Sequence, residues 1–539
     1  MKRRLLSLLL CIGILCLCVT GCGDDGTGGG FRFPLEAEPV GLDPQTATDT
    51  AAVTVISALF EGLTRLDKDG NVVAGAADWS VSDDQKTYTF TLRDSYWSCL
   101  HLRGEETPWD TPTPVTAHDY VFAWQRAVDP QTGSAVAVEF DTIKNARAIR
   151  NGKARVASLG VQATDDKTLV VTLAKADPHF LSRLATTPFM PCNQAFFEYT
   201  KGRYGLEKEY LISNGPFWLG AWNHDESLLL YKHYDYHDAD TVTPEAVRYV
   251  IGTEDPVAEL AAGGLDAALL TAEQSAAAPA GATLHPLQDT LRSLWFNTAS
   301  DPFTVTALRR CLRDSIQWDT LHGVYDGFRD ETPAQGYVTP EAVVGGNDVY
   351  RNEENAIPYA TRVATAKKLM AQGLQQLESG TLRFELLAAD DPVSADIARY
   401  LVQSWQKNLG IYPTLTLLPA ADLNRRVQSG NYQAAIYTHT PTGNTAAENL
   451  ALFGSDSVGN LSNLKNKDVD AAVEAAQKGG RQAVLTLEKR LWQACPCIPL
   501  SVVTRYYAVA EDTEGIHPRP FGGGRYAAPL YFREALKYD

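Results

Sequence analysis

The chain has 539 residues, of which 45% are hydrophobic and 21% charged, and its formal net charge is −17. This length exceeds what a single hydrophobic core supports, so at least two domains are expected. The acidic balance argues against nucleic acid as a partner, because contact with phosphates requires a basic surface.

The amino terminus has the pattern of a secretory signal. Basic residues at positions 2–4 precede an apolar run over 5–19, which is shorter than the roughly 20 residues that span a bilayer as a helix. Residues 19–22, Val-Thr-Gly-Cys, resemble the lipobox of bacterial lipoproteins. This resemblance implies a signal peptide over residues 1–21 that is cut before a lipidated Cys22.

The stretch that follows predicts a tether. Residues 22–30 are mostly glycine with small polar side chains, a composition typical of a flexible linker. Durable attachment to a membrane requires more than one acyl chain, which the implied lipid modification supplies. The sequence therefore predicts a folded body held on the extracytoplasmic face of the cell membrane by a lipid anchor.

Helix and strand signals alternate through the body, which is typical of an α/β architecture. Amphipathic periodicity and capping residues predict the helices, and apolar–polar alternation predicts the strands. In chain order the predicted elements are a helix over 50–60, a strand over 88–92, a helix over 118–128 capped by Thr116, a strand over 168–173, a helix over 393–409 ended by Gly410, a strand over 411–418, a helix over 422–428, a strand over 434–440, helices over 469–477 and 482–493, and a buried strand over 494–503.

The cysteines outside the signal and the lipid site are Cys99, Cys192, Cys311, Cys495 and Cys497. An odd number of cysteines in an extracellular chain allows at most two disulfides and leaves one thiol over, and the pairing stays open. The Cys-Pro-Cys sequence at 495–497 has the spacing of a metal or redox motif. Because it lies in an apolar run, we interpret it as part of a buried strand.

Seven motifs follow one another through the body. They are Gly41–Pro44, Leu59–Leu63, the pattern from Ala77 to Arg93, Pro114–Trp124, Ser213–Phe217, Gly264–Asp266, and Trp295–Phe303. In this order they resemble the opening S-L-D-P, the L-F-E-G-L step and the later signatures of the peptide-type solute-binding proteins of ABC importers, family 5.

The resemblance implies a two-lobed α/β fold like that of the periplasmic binding proteins (type II, three-domain cluster C), with a central ligand cleft and a hinge. Carried over by motif, lobe I would comprise residues 31–60, 188–288 and 498–539. An extra domain of lobe I would cover 61–187, and lobe II would cover 289–497. Hinge closure of the lobes on a ligand is the expected mechanism.

The resemblance also implies that an extended peptide is held by main-chain hydrogen bonds, as in strand addition to a sheet. One candidate segment follows Gly41–Pro44, another is the lobe II strand near 437, and a third is the Trp-Phe-Asn motif. The candidate ligand-binding residues are Thr48, Asp49, Thr50, Trp295, Asn297, Tyr437, Thr438, His439, Thr440 and Thr442.

The charged anchors of the family are missing from the lobe II strand. Where the family has an arginine and an aspartate, this sequence has Ile436 and Thr442. A buried ligand ammonium without a counter-charge is costly. Therefore either another acid, such as Asp49 or Glu448, replaces the missing one, or the ligand lacks a free amine at this position.

The resulting functional prediction is an extracytoplasmic solute-binding component of an ABC importer, a monomer whose partners are a short peptide and the permease and ATPase subunits. An alternative is the same scaffold with an oligosaccharide or a metal chelate as its solute. A secreted hydrolase is a third hypothesis, but no H-E-x-x-H or G-x-S-x-G motif in the right context supports it. No catalytic residue, metal or cofactor is predicted.

Overall fold

The computed structural model describes residues 30–100, 106–177, 179–325, 327–328, 330–345, 348–441, 443–457, 459–523 and 526–538. The predicted signal peptide, Cys22, nearly all of the tether and Thr442 lie outside these residues. Within the described ranges, no helix combines the length and apolar character needed to span a bilayer.

Helices in the described residues are mostly short and lie between strands. The α-helices are Thr50–Leu59, Ala117–Val128, Ala146–Arg150, Phe180–Arg183, Gln194–Tyr199, Pro256–Ala261, Ala272–Ala276, Thr306–Asp314, Trp318–Tyr325, Val363–Gln376, Pro392–Leu409, Ala420–Gln428, Ala446–Ala451, Lys467–Lys478 and Gly480–Ala494. The 3₁₀ helices are Pro130–Thr132, Ala135–Phe140, Val156–Ser158, Thr187–Phe189, Lys208–Tyr210, Ala239–Thr241, Glu353–Asn355 and Pro520–Gly523.

Most strands belong to three larger sheets. The first sheet has, in spatial order, the strands Phe31–Leu35, Ala246–Ile251, Ser227–Lys232 and Phe217–Asn223. The second has the strands Ala77–Val81, Thr87–Leu92, Thr168–Thr172 and Val161–Ala163. The third has the strands Ala267–Leu270, Cys497–Val509, Thr283–Phe296, Ala434–His439, Glu385–Ala389 and Thr414–Leu418, and Glu331–Pro333 also pairs with Cys497–Val509. The two-stranded ribbons pair Thr64–Leu66 with Val72–Ala74, Tyr96–Trp97 with Thr113–Pro114, Thr513–Glu514 with Leu536–Lys537, and His517–Pro518 with Leu530–Tyr531.

Two long antiparallel strands connect the hydrophobic cores, and we call Thr283–Phe296 and Cys497–Val509 the crossing strands. At one end, Leu287 and Tyr507 belong to the core built from the amino-terminal part of the chain. At the other end, Leu294 belongs to a second core. The first crossing strand therefore takes the chain from one lobe to the other, and the second crossing strand, paired with the first, takes it back.

The sheet of the second lobe is covered on both faces. Alternate residues of its strands belong to different cores, with Leu294 and Ile436 on one face and Trp295 and Ala435 on the other. This division follows from the two-residue period of a strand. Since both faces are buried, the strands are apolar over most of their length, and a polar residue on them marks a special environment.

Most of the predicted elements agree with the structure to within three residues at each end. Thr116 forms a capping box at the start of Ala117–Val128. Gly410 ends Pro392–Leu409 in the left-handed conformation (φ 69°), which glycine adopts without a Cβ clash. The predicted buried strand over 494–503 is wrong at its start, since Ala494 ends a helix and the strand runs over Cys497–Val509.

The reason for this error lies in a side chain distant in sequence. Arg309 donates from Nε and Nη2 to the carbonyl oxygens of Cys495 and Ala494, at 2.9 and 2.7 Å. These bonds satisfy carbonyls that a helix end leaves without a partner. The helix therefore continues into an apolar stretch whose local pattern favours a strand. The five cysteines of the body, Cys495 included, are free thiols.

Candidate functional site

A β-bulge interrupts the pairing of the crossing strands between the lobes. Leu287 lies opposite Arg505 and Thr290 opposite Val503, so two residues of the first strand face one of the second. The two residues on the bulged strand are Gln288 and Asp289, opposite Thr504. A bulge bends a strand locally, and this one lies at the passage from one core to the other.

Asp289 is a fully buried acid at the bulge, and its partners fix three chain segments together. Its two oxygens accept from Nη2 of Arg505 at 2.8 and 2.7 Å, and Oδ2 also accepts from the backbone N–H of Phe521 at 2.7 Å. Thr290 donates its hydroxyl to Oδ1 at 3.0 Å. The carboxylate therefore joins both crossing strands to the carboxyl-terminal segment at the passage between the lobes.

The predicted strand residues Tyr437–Thr440 lie directly beside this passage. His439 is paired with Leu291 of the first crossing strand, and Tyr437 is paired with Ser293. The hydroxyl oxygens of Thr440 and Thr290 are 2.7 Å apart and hydrogen-bonded. The structure thus brings this end of the strand to the bulge.

One edge of the same strand has no partner strand near its end. Its parallel pairing with Glu385–Ala389 includes only Ala434 and Ala435. From Tyr437 onward, the described residues supply a ladder partner on the side of the first crossing strand alone. Backbone groups of Tyr437–His439 therefore face a position that an added strand could occupy.

The side chains near this edge are aromatic and uncharged. Trp295 is 2% exposed, stacks on Phe453 with ring centroids 5.8 Å apart, and meets the ring of His439 edge to face at 6.1 Å. Burial lowers the pKa of His439 to about 4, so this imidazole is neutral near pH 7. The indole N–H of Trp295 has no hydrogen-bond acceptor among the described residues.

Ile436, which stands where the family has an arginine, is a core residue. It is 1% exposed, is paired with Leu294 and packs in the second core with Ile498. Thr438, on the same face of the strand, is exposed.

Asn297 is separated from the bulge by most of a strand. Its amide nitrogen donates to the carbonyl oxygen of Gly430 at 2.9 Å, and its amide oxygen accepts from the backbone N–H of Ala299 and from the side chain of Asn463. At about 3.3 Å per residue, it lies roughly 25 Å along the chain from Asp289. These bonds give Asn297 a role in holding loops of the second lobe.

The other predicted segment begins a helix of the first lobe. Asp49 is the N-cap of Thr50–Leu59, and its Oδ1 accepts from the backbone N–H of Ala52 at 2.8 Å. Thr48 and Thr50 are exposed. Among the described residues, no hydrogen bond or ion pair joins this segment to Tyr437–Thr440.

Glu448, the second candidate for a replacement acid, is also part of a helix start. Its Oε2 accepts from the backbone N–H and the hydroxyl of Thr445, at 3.1 and 2.8 Å, in a capping box. In both candidate acids the other carboxylate oxygen is not used by the cap. The predicted site residue Thr442 lies outside the described residues.

The sequence analysis did not find the bulge, nor two buried histidines. Asp289 and Arg505 carry no local signal, since they are ordinary charged residues until the register of two distant strands is known. His233 and His237 lie in a segment of polar sequence, yet both side chains are buried, against the carbonyl oxygen of Gly215 and the carboxylate of Glu61 respectively. The segment packs back on a motif far away in sequence, which local polarity does not reveal.

Two lobes joined by paired crossing strands, with an open strand edge beside the passage between them, define a hinged binding protein. Comparison with known proteins identifies the family. A family model described as bacterial extracellular solute-binding proteins, family 5 Middle, matches residues 72–460. The chain belongs to this family, which confirms the resemblance inferred from the seven motifs.

Similar proteins of known name extend over most of the chain. One is the probable deoxycholate-binding periplasmic protein YgiS of Escherichia coli, 32% identical, with 83% of this chain and 82% of the relative covered. Another is the oligopeptide-binding protein OppA of Bacillus subtilis, 31% identical, covering 76% and 77%. The substrate-binding domain of an oligopeptide ABC transporter from Bacillus anthracis has the same fold, with TM-score 0.72, 25% identity and coverage of 94% and 98%. The predicted two-lobed α/β fold is thereby confirmed.

Proposed function

We propose that the protein binds short peptides between its lobes and presents them to an ABC importer. The observation that carries the proposal is the open edge of Tyr437–His439 beside the bulge, because an extended peptide can add to such an edge through main-chain hydrogen bonds. Relatives named for oligopeptide and dipeptide binding support the same class of solute. The proposed contacts are Thr48–Thr50 on lobe I and Trp295, Asn297, Tyr437–Thr440 and Thr442 on lobe II.

The proposal includes the setting in which this binding occurs. The protein is proposed to be a monomer, anchored through a lipid on Cys22 outside the cytoplasm and divided into the lobes with the predicted boundaries. It releases its ligand unchanged to the permease, which makes it a carrier and not an enzyme. The partners are the permease and ATPase subunits of the importer.

A second candidate is a largely apolar, non-peptide solute. The aromatic, uncharged surroundings of Trp295 and His439 favour it, and the relative YgiS is named as probably deoxycholate-binding. A flat apolar ligand gains affinity from buried surface and needs no ammonium anchor. This candidate differs from the oligosaccharide and the metal chelate that the sequence left open, and its support is the chemistry of the strand end.

Isothermal titration calorimetry with a tripeptide, its amino-acetylated form and deoxycholate separates the candidates. Binding of at least one peptide, recovered intact by mass spectrometry, is the expected outcome. If an acid of the cleft pairs with the peptide's amine, acetylation weakens binding. If the protein makes no contact with the amine, acetylation leaves the affinity unchanged. Binding of deoxycholate with no peptide bound would contradict the peptide proposal, and cleaved peptide would contradict a carrier role.

Asp49→Asn tests whether the acid of lobe I pairs the ligand amine. The amide oxygen of asparagine can still accept from Ala52, so the free energy of unfolding should change by less than about 0.5 kcal/mol. Loss of the charge should weaken the free-amine peptide by roughly tenfold and the acetylated peptide hardly at all. Glu448→Gln is the matched variant on lobe II. An equal loss for both peptides would contradict a pairing role.

A further inference from the structure

Lobe I contains a cavity apart from the proposed cleft residues. It has a volume of about 110 Å³ and lies where the segment 57–66 meets the carboxyl-terminal segment 527–533. Its lining includes Glu61, Arg65, Arg519 and Arg533. One water needs about 10–15 Å³ by the same measure, so the space is sufficient for several waters or one small polyatomic ion.

Two of the arginines have carboxylate partners. Arg65 and Arg533 each lie 3.0 Å from Oδ2 of Asp238. They also lie 3.6 and 3.4 Å from Oε1 of Glu61. The two acids therefore balance these two arginines and leave no negative charge over for a third.

Arg519 is the third arginine, and no described carboxylate lies within ion-pair distance of it. Its Nη2 donates to the carbonyl oxygens of Leu66 and Asp67 at 3.0 and 3.2 Å, while its buried Nε has no acceptor in the part of the chain that the structure describes. Burial lowers the pKa of Arg519 to about 10, although Tyr531 and Asp67 raise it. Arg519 is half-buried, and its compensation consists of these two carbonyl oxygens and the ring of Tyr531, whose centroid lies 5.6 Å from the guanidinium carbon.

Arg65, which also lines the cavity, has an enclosed N–H without an acceptor among the described residues. Its Nη1 lies 3.6 Å from Glu61, which is too long for a hydrogen bond. An arginine presents planar donors that suit the oxygens of phosphate and carboxylate groups. The cavity therefore combines space, arginine side chains in its lining and one positive charge that no described carboxylate balances.

We propose that this cavity is a binding site for a small oxyanion of the phosphate type, held by Arg519 and Arg65. The ion balances the charge of Arg519 and accepts from the guanidinium groups that line the cavity. It joins the strand Thr64–Leu66 to the carboxyl-terminal segment, and so stabilises lobe I independently of the solute. The site is separate from the proposed peptide contacts, so this proposal does not depend on the proposed function.

The test uses the full mature chain with inorganic phosphate against chloride at equal ionic strength. Isothermal titration calorimetry is expected to show saturable binding of one phosphate per chain, and phosphate is expected to raise the unfolding temperature, because a ligand of the folded state stabilises it. Absence of saturable binding by the unaltered chain would overturn the proposal whatever the variants do.

Arg519→Gln removes the proposed charge, and Arg519→Lys keeps the charge but removes the planar donors. Both should weaken phosphate binding, the glutamine variant by roughly tenfold or more. Arg425→Gln is the matched control, because it removes the same charge from an exposed helix of lobe II. Phosphate affinity that is unchanged in both Arg519 variants, or reduced equally in R425Q, would overturn the assignment to this cavity.

Discussion

Glu61 shows how much a single residue of a motif contributes to the fold. It is the acid of the Leu59–Leu63 motif, it is 4% exposed, and it accepts from Tyr236 at 2.5 Å and from His237. Burial raises its pKa, but the hydrogen bond and charge of His237 and the charges of Arg533 and Arg65 outweigh this and lower it to about 2. The acid is therefore ionised throughout the physiological range and fixes the Leu59–Leu63 motif to Tyr236, His237 and Arg533.

Glu61→Gln should lower the free energy of unfolding by about 3–5 kcal/mol, because removal of one partner leaves the others buried without compensation. Urea denaturation at pH 7 measures the change. The matched control is Asp422→Asn, which removes an exposed acid from an i,i+3 pair with Arg425 and should cost less than about 0.5 kcal/mol. A loss in E61Q as small as that of the control would contradict the structural role.

The same carboxylate predicts acid sensitivity. Its pKa is about 2 in the folded chain and near 4.5 when unperturbed, so its stabilising contribution is present above pH 4.5 and is lost as the pH falls towards 2. Denaturation at pH 5, 4 and 3 should show the gap between the unaltered chain and E61Q narrowing with falling pH. A gap that is constant or widens would mean that Glu61 is not the titrating group.

Site residues could be found from the sequence only where a motif or a cap marks them. Asp49 is recognisable as the residue before a helix, and its side chain caps the first turn. Asp289 could not be found, because its role depends on Arg505 and on the backbone of Phe521, which are distant in sequence. The neutral state of His439 likewise follows from burial that no local pattern reports.

Among the elements, helices were the easier to predict from sequence. Thr116, Gly410 and the apolar periodicity between caps are local, and so the helix bounds follow from local chemistry. The first crossing strand was not predicted, because Pro286 and Asp289 interrupt it and burial on both faces removes the alternation. Pairing with a strand more than two hundred residues away determines this element.

Gly215 of the Ser213–Phe217 motif marks a close approach between elements. A Cβ at this position would lie 2.7 Å from the carbonyl oxygen of Leu59, at the end of the first helix. Gly215→Ala should therefore lower the free energy of unfolding by about 1–3 kcal/mol, since backbone has to move. Gly480→Ala is the matched control, with no atom within 4 Å of the added carbon, and thermal or urea unfolding compares the two. Equal stabilities of the two variants would contradict the close packing.

At the scale of the whole molecule, two lobes connected by crossing strands should move about the bulge. Ligand bound between them should favour a closed form, since a ligand shifts an equilibrium towards the state that it binds better. Small-angle X-ray scattering is expected to show a smaller radius of gyration with a ligand identified by calorimetry than without it. Asp289→Asn, which weakens the contact to Arg505, should change the extent of this compaction. Identical scattering with and without a bound ligand would contradict closure.

The crossing strands also determine the order in which a growing chain can complete its parts. Apart from Phe521, the core residues of the second lobe lie between Leu294 and Leu500, whereas the core of the first includes Tyr507, Val509 and Phe532. During synthesis the strand Ala267–Leu270 has no pairing partner until Tyr506–Val509, near the other end of the chain, has been made. A product shortened before Cys497 would retain much of the second lobe but would leave the first unfinished, with unpaired strand edges exposed to aggregation and proteases.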